Sequence, residues 1–536
     1  MTDSNLIQKT KILTAATLIS KIIGFLYVVP LTAMVSTDGM GLYSEGYQPY
    51  QVLLSLATLG VPLAMSKFVS KYHTLGDYET AHRLFRSGII FMLVTGFVGF
   101  LLLFSAAPIL AEIFLSLGDK KSIYTVGDTT LVIRMVSVAL IIVPAMAIIR
   151  GYFQGFGQMV PTAISQVIEQ LVRVSFILAI VFYIMKTSGD VVLAVGFATF
   201  GAFIGAIGGG FVLIWYYMKE RPTIAHKVST SAVRHRLPLV GMYKEIIRYA
   251  LPISFVGLSI PLFQFIDVAT IENALGSGAG KEYKGILVMM VHKLVLIPMA
   301  LATALSITLV PTITQAYTSG EKTLLQRNVF QSYQMILFIC IPAAFGLVVL
   351  AEPIYGAIYG VKEQFHIGVE TLMLYGPITL IFSLYAVTGA ILQGLNRQKY
   401  AMISLAIGLL AKVILAFPLL WLLGRTGAIW TSYIGFGLAL AMNVWAIGKF
   451  AQFRYNVLLK RALLIFMISL IMTAATWIIS RGLMVWLPID SRLSGVIVTA
   501  ISISSAIVCY FFLTVRVHLA GEVLGERFRF LNRRGY

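Results

Sequence analysis

The sequence predicts an all-α polytopic membrane protein with fourteen transmembrane helices. Of its 536 residues, 58% are hydrophobic and only 12% are charged, whereas soluble domains carry about a quarter charged residues. The mean hydropathy is +0.88, and apolar runs recur from end to end. None of these runs alternates as a β-barrel strand would. Soluble enzymes, nucleic-acid binders and disordered chains are therefore excluded.

A helix needs about 20 apolar residues to cross the hydrocarbon. Lys9 and Lys11 precede the first run, which is too long for a signal-peptide core and is expected to remain as a span. The fourteen predicted spans are residues 11–35, 46–68, 88–112, 128–150, 160–186, 190–217, 248–273, 286–316, 331–350, 368–394, 400–423, 427–449, 462–486 and 493–516.

The basic residues predict how the helices are oriented. With the N-terminus inside, 27 of the 41 Lys and Arg residues fall in inside segments, 9 in outside segments and 5 within spans. Cytoplasmic loops carry such an excess, so both termini are expected in the cytoplasm. The net charge of +19 then reflects topology, and no nucleic-acid partner is expected. The loops are too short for a soluble catalytic domain, so the chain is not expected to be an enzyme.

An internal repeat appears at an offset of 239 residues. Residues 153–156 read Phe-Gln-Gly-Phe and residues 392–395 read Leu-Gln-Gly-Leu, with Arg173 and Lys412 in the same register. Fixed-period similarity is the signature of duplication. Parallel repeats of this kind are one plan of alternating-access transporters.

A second echo pairs residues 59–62 with residues 308–311, each followed by a polar turn that contains Tyr and Gly. Both echoes occupy equivalent topological places, which predicts two pseudo-symmetric six-helix lobes. The predicted domains are a first lobe at 1–217, a basic cytoplasmic linker at 218–247, a second lobe at 248–450, two extra helices at 451–516 and a cytoplasmic tail at 517–536.

Five basic residues lie inside predicted spans: Lys21, Arg134, Arg173, Lys293 and Lys412. Each costs about 2.5–3.5 kcal/mol at a helix centre unless it faces water or a partner. At about 1.5 Å per residue, Lys21 and Lys293 come out near the middle of the bilayer. Because ion interactions strengthen as the dielectric falls, these bases predict a cationic chamber for a passenger that carries phosphate or carboxylate.

Private ion pairs are the alternative to such a chamber. Arg173 has Glu169 four residues earlier on the same helix face, which is the spacing of a helical ion pair. Lys21, Lys293 and Lys412 have no acid within two turns, which favours a ligand role for them.

Residues that gate the transport path or couple it to ions are expected where proline bends a span and at the few acidic residues inside spans. Proline removes a helical hydrogen bond and bends the helix, although plain lobe-shaping kinks are an equal alternative. Asp267, Pro62 and Pro311 are the candidates. The histidines show no metal-ligand spacing and the glycine-rich residues 276–281 lack the phosphate-loop pattern, so no metal or cofactor is expected.

Four segments resemble one family of exporters. Residues 19–25, Ile-Ser-Lys-Ile-Ile-Gly-Phe, resemble the Ser-Arg-x-x-Gly-Phe motif of MurJ-type lipid II flippases in the MOP (multidrug, oligosaccharidyl-lipid, polysaccharide) exporter superfamily. Residues 293–298 resemble that family's eighth helix, with Lys293 where arginine is usual. Residues 41–43 and 60–67 are similar to its SpoVB-like branch.

The resemblance implies a flippase in the bacterial cell membrane that exports undecaprenyl-pyrophosphate-linked peptidoglycan precursor, with Lys21 and Lys293 on the pyrophosphate. Helices thirteen and fourteen would form a groove for the lipid tail. Where the family has an aspartate near its second helix, the nearest acid here is Glu45, a candidate substrate contact. The sodium site of some family members needs acidic residues on the seventh and eleventh helices. Here only Asp267 on the seventh helix remains and the eleventh carries Lys412, which argues against sodium coupling.

Our hypothesis is that the protein works by alternating access and that the membrane potential drives transport. We expect a monomer whose partners are the lipid-linked anionic glycan precursor, the bilayer and cell-wall synthesis enzymes. An inside-negative potential of 100 mV favours outward movement of each negative charge by about 2.3 kcal/mol. The alternatives are a flippase for another lipid-linked polysaccharide precursor, a multidrug cation antiporter of the same superfamily, a membrane glycosyltransferase or polymerase, and a non-transporting scaffold.

Overall fold

The protein is all-helical in a computed structural model that describes residues 16–17, 19–58, 60–115, 123–231, 241–244, 247, 254, 257–361 and 364–524. Every regular element within these residues is a helix, which confirms the predicted all-α class. The chain divides into two compact units, Met1–Gly285 and Ile286–Tyr536.

The first unit contains nine described helices. Three of them, which begin at Val61, Val143 and Val160, carry proline at the second helical position, where the backbone N–H that proline lacks would have no partner within the helix. A 3₁₀ turn at Val138–Ile141 separates two of the helices. The helices are α1 Ile19–Thr58, α2 Val61–Thr74, α3 Tyr78–Leu115, α4 Val126–Ser137, α5 Val143–Gly155, α6 Val160–Thr187, α7 Val191–Ser229, α8 Ser259–Leu275 and α9 Ser277–Lys284.

The second unit begins with a π-helical turn at Gly285–Val291, a distortion that proteins often place at functional sites. Its described helices are α10 His292–Thr318, α11 Lys322–Val349, α12 Ala351–Tyr359, α13 Phe365–Tyr375, α14 Ile378–Gly394, α15 Gln398–Leu423, α16 Gly427–Ala451, α17 Asn456–Trp486, α18 Arg492–Arg516 and α19 Leu519–Leu524.

Ten helices in the described ranges are long and apolar enough to cross a membrane, or eleven if α13 and α14, bent by 42°, form one span. Two of the ten are unusually long: Ile19–Thr58 has 40 residues and Gln398–Ala451 has 54, so each covers two predicted spans. Ser36, with φ 66, breaks the first of them. The polytopic class is confirmed, and the number fourteen remains a prediction.

Large apolar side chains lie on the outside of both units. Trp486 is 89% exposed, and Leu422 and Phe211 are 78% and 72% exposed. A water-soluble monomer rarely exposes continuous apolar surface, whereas lipid covers such a surface without cost. Both units therefore present the apolar surface of a membrane protein.

The repeat is visible in the backbone at the ends of α5 and α14. Each helix ends in a Schellman motif whose first residue beyond the cap is left-handed: Gly157 has φ 72 and Asn396, 239 residues later, has φ 57. The closing hydrogen bonds run from Gly157 N to Gln154 O and from Gln158 N to Phe153 O, and in the second copy from Asn396 N to Gln393 O and from Arg397 N to Leu392 O.

The glycine of each echoed motif lies against a neighbouring helix. A Cβ on Gly155 would lie 2.6 Å from Val69 Cβ on α2, and a Cβ on Gly394 would lie 2.7 Å from Ile313 Cβ on α10. In each unit the glycine of the first echo thus contacts the helix that contains residues of the second echo. The unit boundary follows Gly285, so α8 and α9 pack in the first unit. The six-helix lobes 1–217 and 248–450 remain a prediction.

Candidate functional site

Lys21 lies on a polar seam between α1 and α6. Thr17, just before α1, donates a hydrogen bond to Gln166 Oε1 at 3.1 Å, and a Cβ on Gly24 would lie 3.4 Å from Gln170 Oε1. Residues three and four apart share a helix face, so Lys21 lies on the face that contains both contacts. Its side chain is exposed and makes no hydrogen bond or ion pair within the described part of the chain, which leaves the ammonium available to an anion.

Arg173 on α6 is held by tyrosines. Its Nη2 atom lies 3.4 Å from Tyr43 Oη, and its guanidinium lies over the Tyr47 ring at 5.2 Å from the centroid. Tyr27 Oη is 3.1 Å from Tyr43 Oη. A guanidinium over an aromatic face keeps its charge without a carboxylate, and Nε is buried with no hydrogen-bond partner among the residues described.

The local ion pair between Glu169 and Arg173, one of the two alternatives for Arg173, is not the pair that this structure forms. Glu169 binds Arg150 instead, with Nη2 and Oε2 2.7 Å apart, and Arg150 also donates to Ser165 Oγ at 3.0 Å. The spacing in sequence permitted a local pair, but a second base reached the carboxylate from α5. Arg173 consequently retains a positive charge that no carboxylate of the described residues neutralises.

Glu45 faces away from Arg173, contrary to the expectation that it contacts substrate. It lies two residues from both Tyr43 and Tyr47, which is more than half a helical turn at 3.6 residues per turn. Its carboxylate accepts a hydrogen bond from Thr129 Oγ1 at 2.6 Å. Since Glu45 is fully buried among protein groups, it is closed to a ligand in this structure.

The partners of Glu45 form a buried ion cluster with two acids and two bases. Lys284 Nζ lies 2.6 Å from Glu45 Oε1 and 2.6 Å from Glu272 Oε2, and Lys281 Nζ lies 3.3 Å from Glu45 Oε1. Lys281 also lies over the Tyr124 ring at 4.5 Å. The four charged side chains are at most 1% exposed. Because buried charges are tolerated when paired, this cluster joins α1, α8 and α9.

Sequence reasoning missed this cluster because it counted Lys281 and Lys284 as outer-loop residues. The signal that could have found them is their spacing of three on one helix face together with Glu272 at the end of the preceding helix. Close backbone approach accompanies the cluster: a Cβ on Gly41 would lie 2.5 Å from Lys281 O, and one on Gly280 would lie 2.6 Å from Glu272 Cα.

In the second unit, Lys293 and Lys412 have different surroundings. Lys293, in the first turn of α10, is half-buried. His292 beside it is buried, with Nδ1 3.0 Å from Tyr375 Oη. Lys412 on α15 is fully buried and donates to Ser432 Oγ at 2.6 Å. Lys293 is therefore more accessible than Lys412 to an incoming anion.

The candidates for gating or coupling lie in three different helices. Asp267 is buried on α8. Pro62 stands in the first turn of α2, directly after the break that follows Thr58. Pro311 lies within α10. The side chains of both prolines lie outside the described residues, and the gating role of all three residues stays a prediction.

An apolar groove of about 410 Å³ lies in the second unit between α11, α17 and α18. Its walls include Phe338, Pro342, Gly346, Met472, Ile503 and Tyr510. A groove with almost no polar lining suits a hydrocarbon chain, because ligand pockets bind mainly through apolar walls. This is the place where the resemblance implies a groove for a lipid tail.

Two family models match the chain, and their ranges overlap between residues 252 and 317. Residues 6–317 match the family described as "Polysaccharide biosynthesis protein", which is more than half of the sequence. Residues 252–417 match the family MatE. The first match therefore covers the first unit almost completely, and the second covers the start of the second unit.

Individual relatives match over most of their length. The chain is 40% identical over 541 residues to the lipid II flippase MurJ of Bacillus subtilis (strain 168), covering 99% of both chains. It is 25% identical over 452 residues to Stage V sporulation protein B of the same organism, covering 81% of this chain and 82% of that one. A solved structure of lipid II flippase MurJ in an inward closed conformation shares its fold, with a TM-score of 0.68, 15% identity, and coverage of 94% and 99%.

Proposed function

The chain belongs to the MurJ-type lipid II flippases of the MOP exporter superfamily, and on that premise we propose that it moves lipid II from the inner to the outer leaflet of the cell membrane. The observation that carries the proposal is the 40% identity to the B. subtilis flippase across 99% of both chains. The relatives with assigned activities are flippases, and chemistry on the substrate forms no part of the proposal.

The headgroup of lipid II carries a diphosphate, and the exposed ammonium of Lys21 would supply a positive charge for it in the first unit. Arg173, whose guanidinium has tyrosine rather than carboxylate partners, is the second candidate. Charge-assisted hydrogen bonds to phosphate are about twice as strong as neutral ones. Lys293 is the candidate in the second unit, and Lys412, which is enclosed with Ser432, supports the local charge without being the first contact.

The prenyl chain would occupy the groove between α11, α17 and α18. Each CH₂ group removed from water contributes about 0.8 kcal/mol, but within a bilayer the chain is already in hydrocarbon. The groove therefore acts by position rather than by affinity: it holds the chain beside the protein while the headgroup crosses.

We infer alternating access powered by the membrane potential. Each net negative charge that moves outward gains about 2.3 kcal/mol per 100 mV, so ATP is not required. Asp267, Pro62 and Pro311 are proposed to serve gating or coupling. We further propose a monomer in the bacterial cell membrane with both termini in the cytoplasm, positioned near cell-wall synthesis enzymes.

Transport of fluorescent lipid II in proteoliposomes tests the proposal. The wild-type protein should move lipid II and should move it faster with an inside-negative potential. Lys21→Ala and Lys293→Ala should abolish transport, while Lys460→Ala, which removes an exposed lysine from α17, should not.

Three outcomes would contradict parts of this assignment. Wild-type rates in both lysine variants would remove them from the headgroup site. Equal rates with and without potential would reject the driving force. Movement of another lipid-linked precursor in place of lipid II would reject the substrate.

A further inference from the structure

A polar cavity lies in the first unit, and neither Lys21 nor Arg173 is among the residues that line it. It has a volume of about 580 Å³ and lies between the N-terminal turns of α3 and the C-terminal turns of α7. This volume is within the usual range for small-ligand pockets. Its polar lining comprises Glu79, His82, Arg86, Tyr217, Arg221 and Ser229.

The cavity lies where both helices change from apolar to charged. On α3 the exposed apolar surface starts at Ile90, which is 64% exposed, and on α7 it ends at Met218, which is 65% exposed. Trp215 is also exposed on α7, with Lys219 Nζ 5.6 Å from its ring. Tryptophan and lysine typically mark the interface between hydrocarbon and water. Phospholipid phosphates lie at that same level.

The charge of the cavity favours an anion. Arg86 and Arg221 are exposed to it, and neither forms an ion pair with a carboxylate in the described ranges. Glu79 is the one acid among the residues that line it. An arginine on each of the two facing helices favours phosphate among anions, because the planar fork of arginine binds phosphate with two parallel hydrogen bonds.

The wall behind the arginines is built from packed rings. Tyr217 lies 5.4 Å from the Phe85 ring, and Phe85 stacks on Tyr152 at 4.0 Å. His82 Nδ1 lies 3.4 Å from Tyr152 Oη. Aromatic contacts of this kind hold the walls of a pocket in place, so the two arginines stand on a fixed frame.

We propose that this cavity is a binding site for the phosphate-bearing headgroup of an anionic phospholipid of the surrounding leaflet. Basic pockets between transmembrane helices are known to hold such headgroups. The site is separate from the lipid II contacts proposed above and does not depend on them. Its occupant would tie the charged ends of α3 and α7 to the membrane surface.

The test compares phosphatidylglycerol with phosphatidylcholine on the full-length protein. The protein is reconstituted in nanodiscs that contain both lipids, and native mass spectrometry counts the lipids that it retains. Wild type should be enriched in phosphatidylglycerol. The double variant Arg86→Ala with Arg221→Ala should lower this enrichment by at least about tenfold, because two charge-assisted contacts are lost and the loss of one alone corresponds to about tenfold. Lys219→Ala removes a lysine from the same level of α7, outside the cavity lining, and should leave it unchanged.

The source of the phosphate and the state of the protein are checked in the same series. Inorganic phosphate or diphosphate should not displace the retained phosphatidylglycerol. If either one displaced the lipid, the lipid assignment would be overturned in favour of a soluble anion. Unchanged enrichment in the double variant, or an equal loss in Lys219→Ala, would also overturn it. Both arginines are exposed, so the thermal unfolding temperature should stay at the wild-type value. Lipid II transport in phosphatidylcholine vesicles is measured separately, so that failure of the flippase assignment is distinguishable from failure of this site.

Discussion

Lys284 Nζ lies 2.6 Å from Glu45 Oε1, with both side chains fully buried, although 239 residues separate them in the chain. Lys284 also bonds Glu272, so one ammonium joins carboxylates from two other helices. Taking ions out of water costs several kcal/mol each, and mutual attraction offsets this cost only while the partners are present. The intact cluster is therefore tolerated, whereas a cluster that lacks one member is not.

Removing Lys284 should destabilise the first unit. In Lys284→Ala, two buried carboxylates share Lys281 as their one remaining cation within the cluster, and we expect a loss of about 3–5 kcal/mol of unfolding free energy. Thermal unfolding of the purified protein in detergent measures it. Lys219→Ala, on the exposed end of α7, is the control and should change the stability by less than about 0.5 kcal/mol. Equal stability of the two variants would contradict the account of the cluster.

The two motif glycines should respond alike to an added methyl group. Gly155→Ala and Gly394→Ala would each place Cβ less than 3 Å from a side chain of the neighbouring helix, and overpacking of this kind costs about 1–3 kcal/mol. Gly437→Ala, where a Cβ meets no atom within 4 Å, is the matched control. Unfolding midpoints of the three variants check the prediction. A loss in one copy without a loss in the other would show that the two contacts are not equivalent.

Substitution of Glu169 should lower the stability of the protein, whereas substitution of Arg173 should slow transport. Glu169→Gln weakens the half-buried pair with Arg150, so we expect a loss of about 1–3 kcal/mol in stability and an unchanged rate of lipid II transport. Arg173→Lys removes the planar group that lies over Tyr47 and should slow transport with little effect on unfolding. If Glu169→Gln instead abolished transport in a fully folded protein, the assignment of Glu169 to Arg150 alone would fail.

Filling the apolar groove should slow transport without unfolding the protein. Gly346 lines the groove, and a Cβ there would meet no atom within 4 Å, so Gly346→Leu introduces its side chain into the groove from an open backbone position. We expect lipid II transport to fall about tenfold, an increase of roughly 1.4 kcal/mol in the transport barrier, because the leucine takes up space in which the groove would position the prenyl chain. Gly437→Leu adds the same side chain at an open position outside the groove lining. Equal rates in the two variants would show that the prenyl chain lies elsewhere.

Much of the architecture was accessible from the sequence. A bilayer leaves backbone groups no water to bond, so spanning segments must be helical and read as long apolar runs; the all-helical class follows directly. Residues 153–156 and 392–395 echo each other in the sequence, and α5 and α14, which end there, are both followed by a left-handed residue, Gly157 and Asn396. The two six-helix lobes stay a prediction. Lys21 was predicted to bind substrate because a base without a local acid is costly in hydrocarbon, and this role stays a prediction.

The pairing of charges was decided by tertiary structure. Glu169 stands at helical spacing from Arg173 but bonds Arg150, and Glu45 turns to Lys284 on the face opposite Tyr43. Sequence spacing determines which residues share a face of one helix. Which helix packs against that face depends on contacts between segments far apart in the chain. In a low-dielectric interior a carboxylate then pairs with the nearest positive charge, whichever helix supplies it.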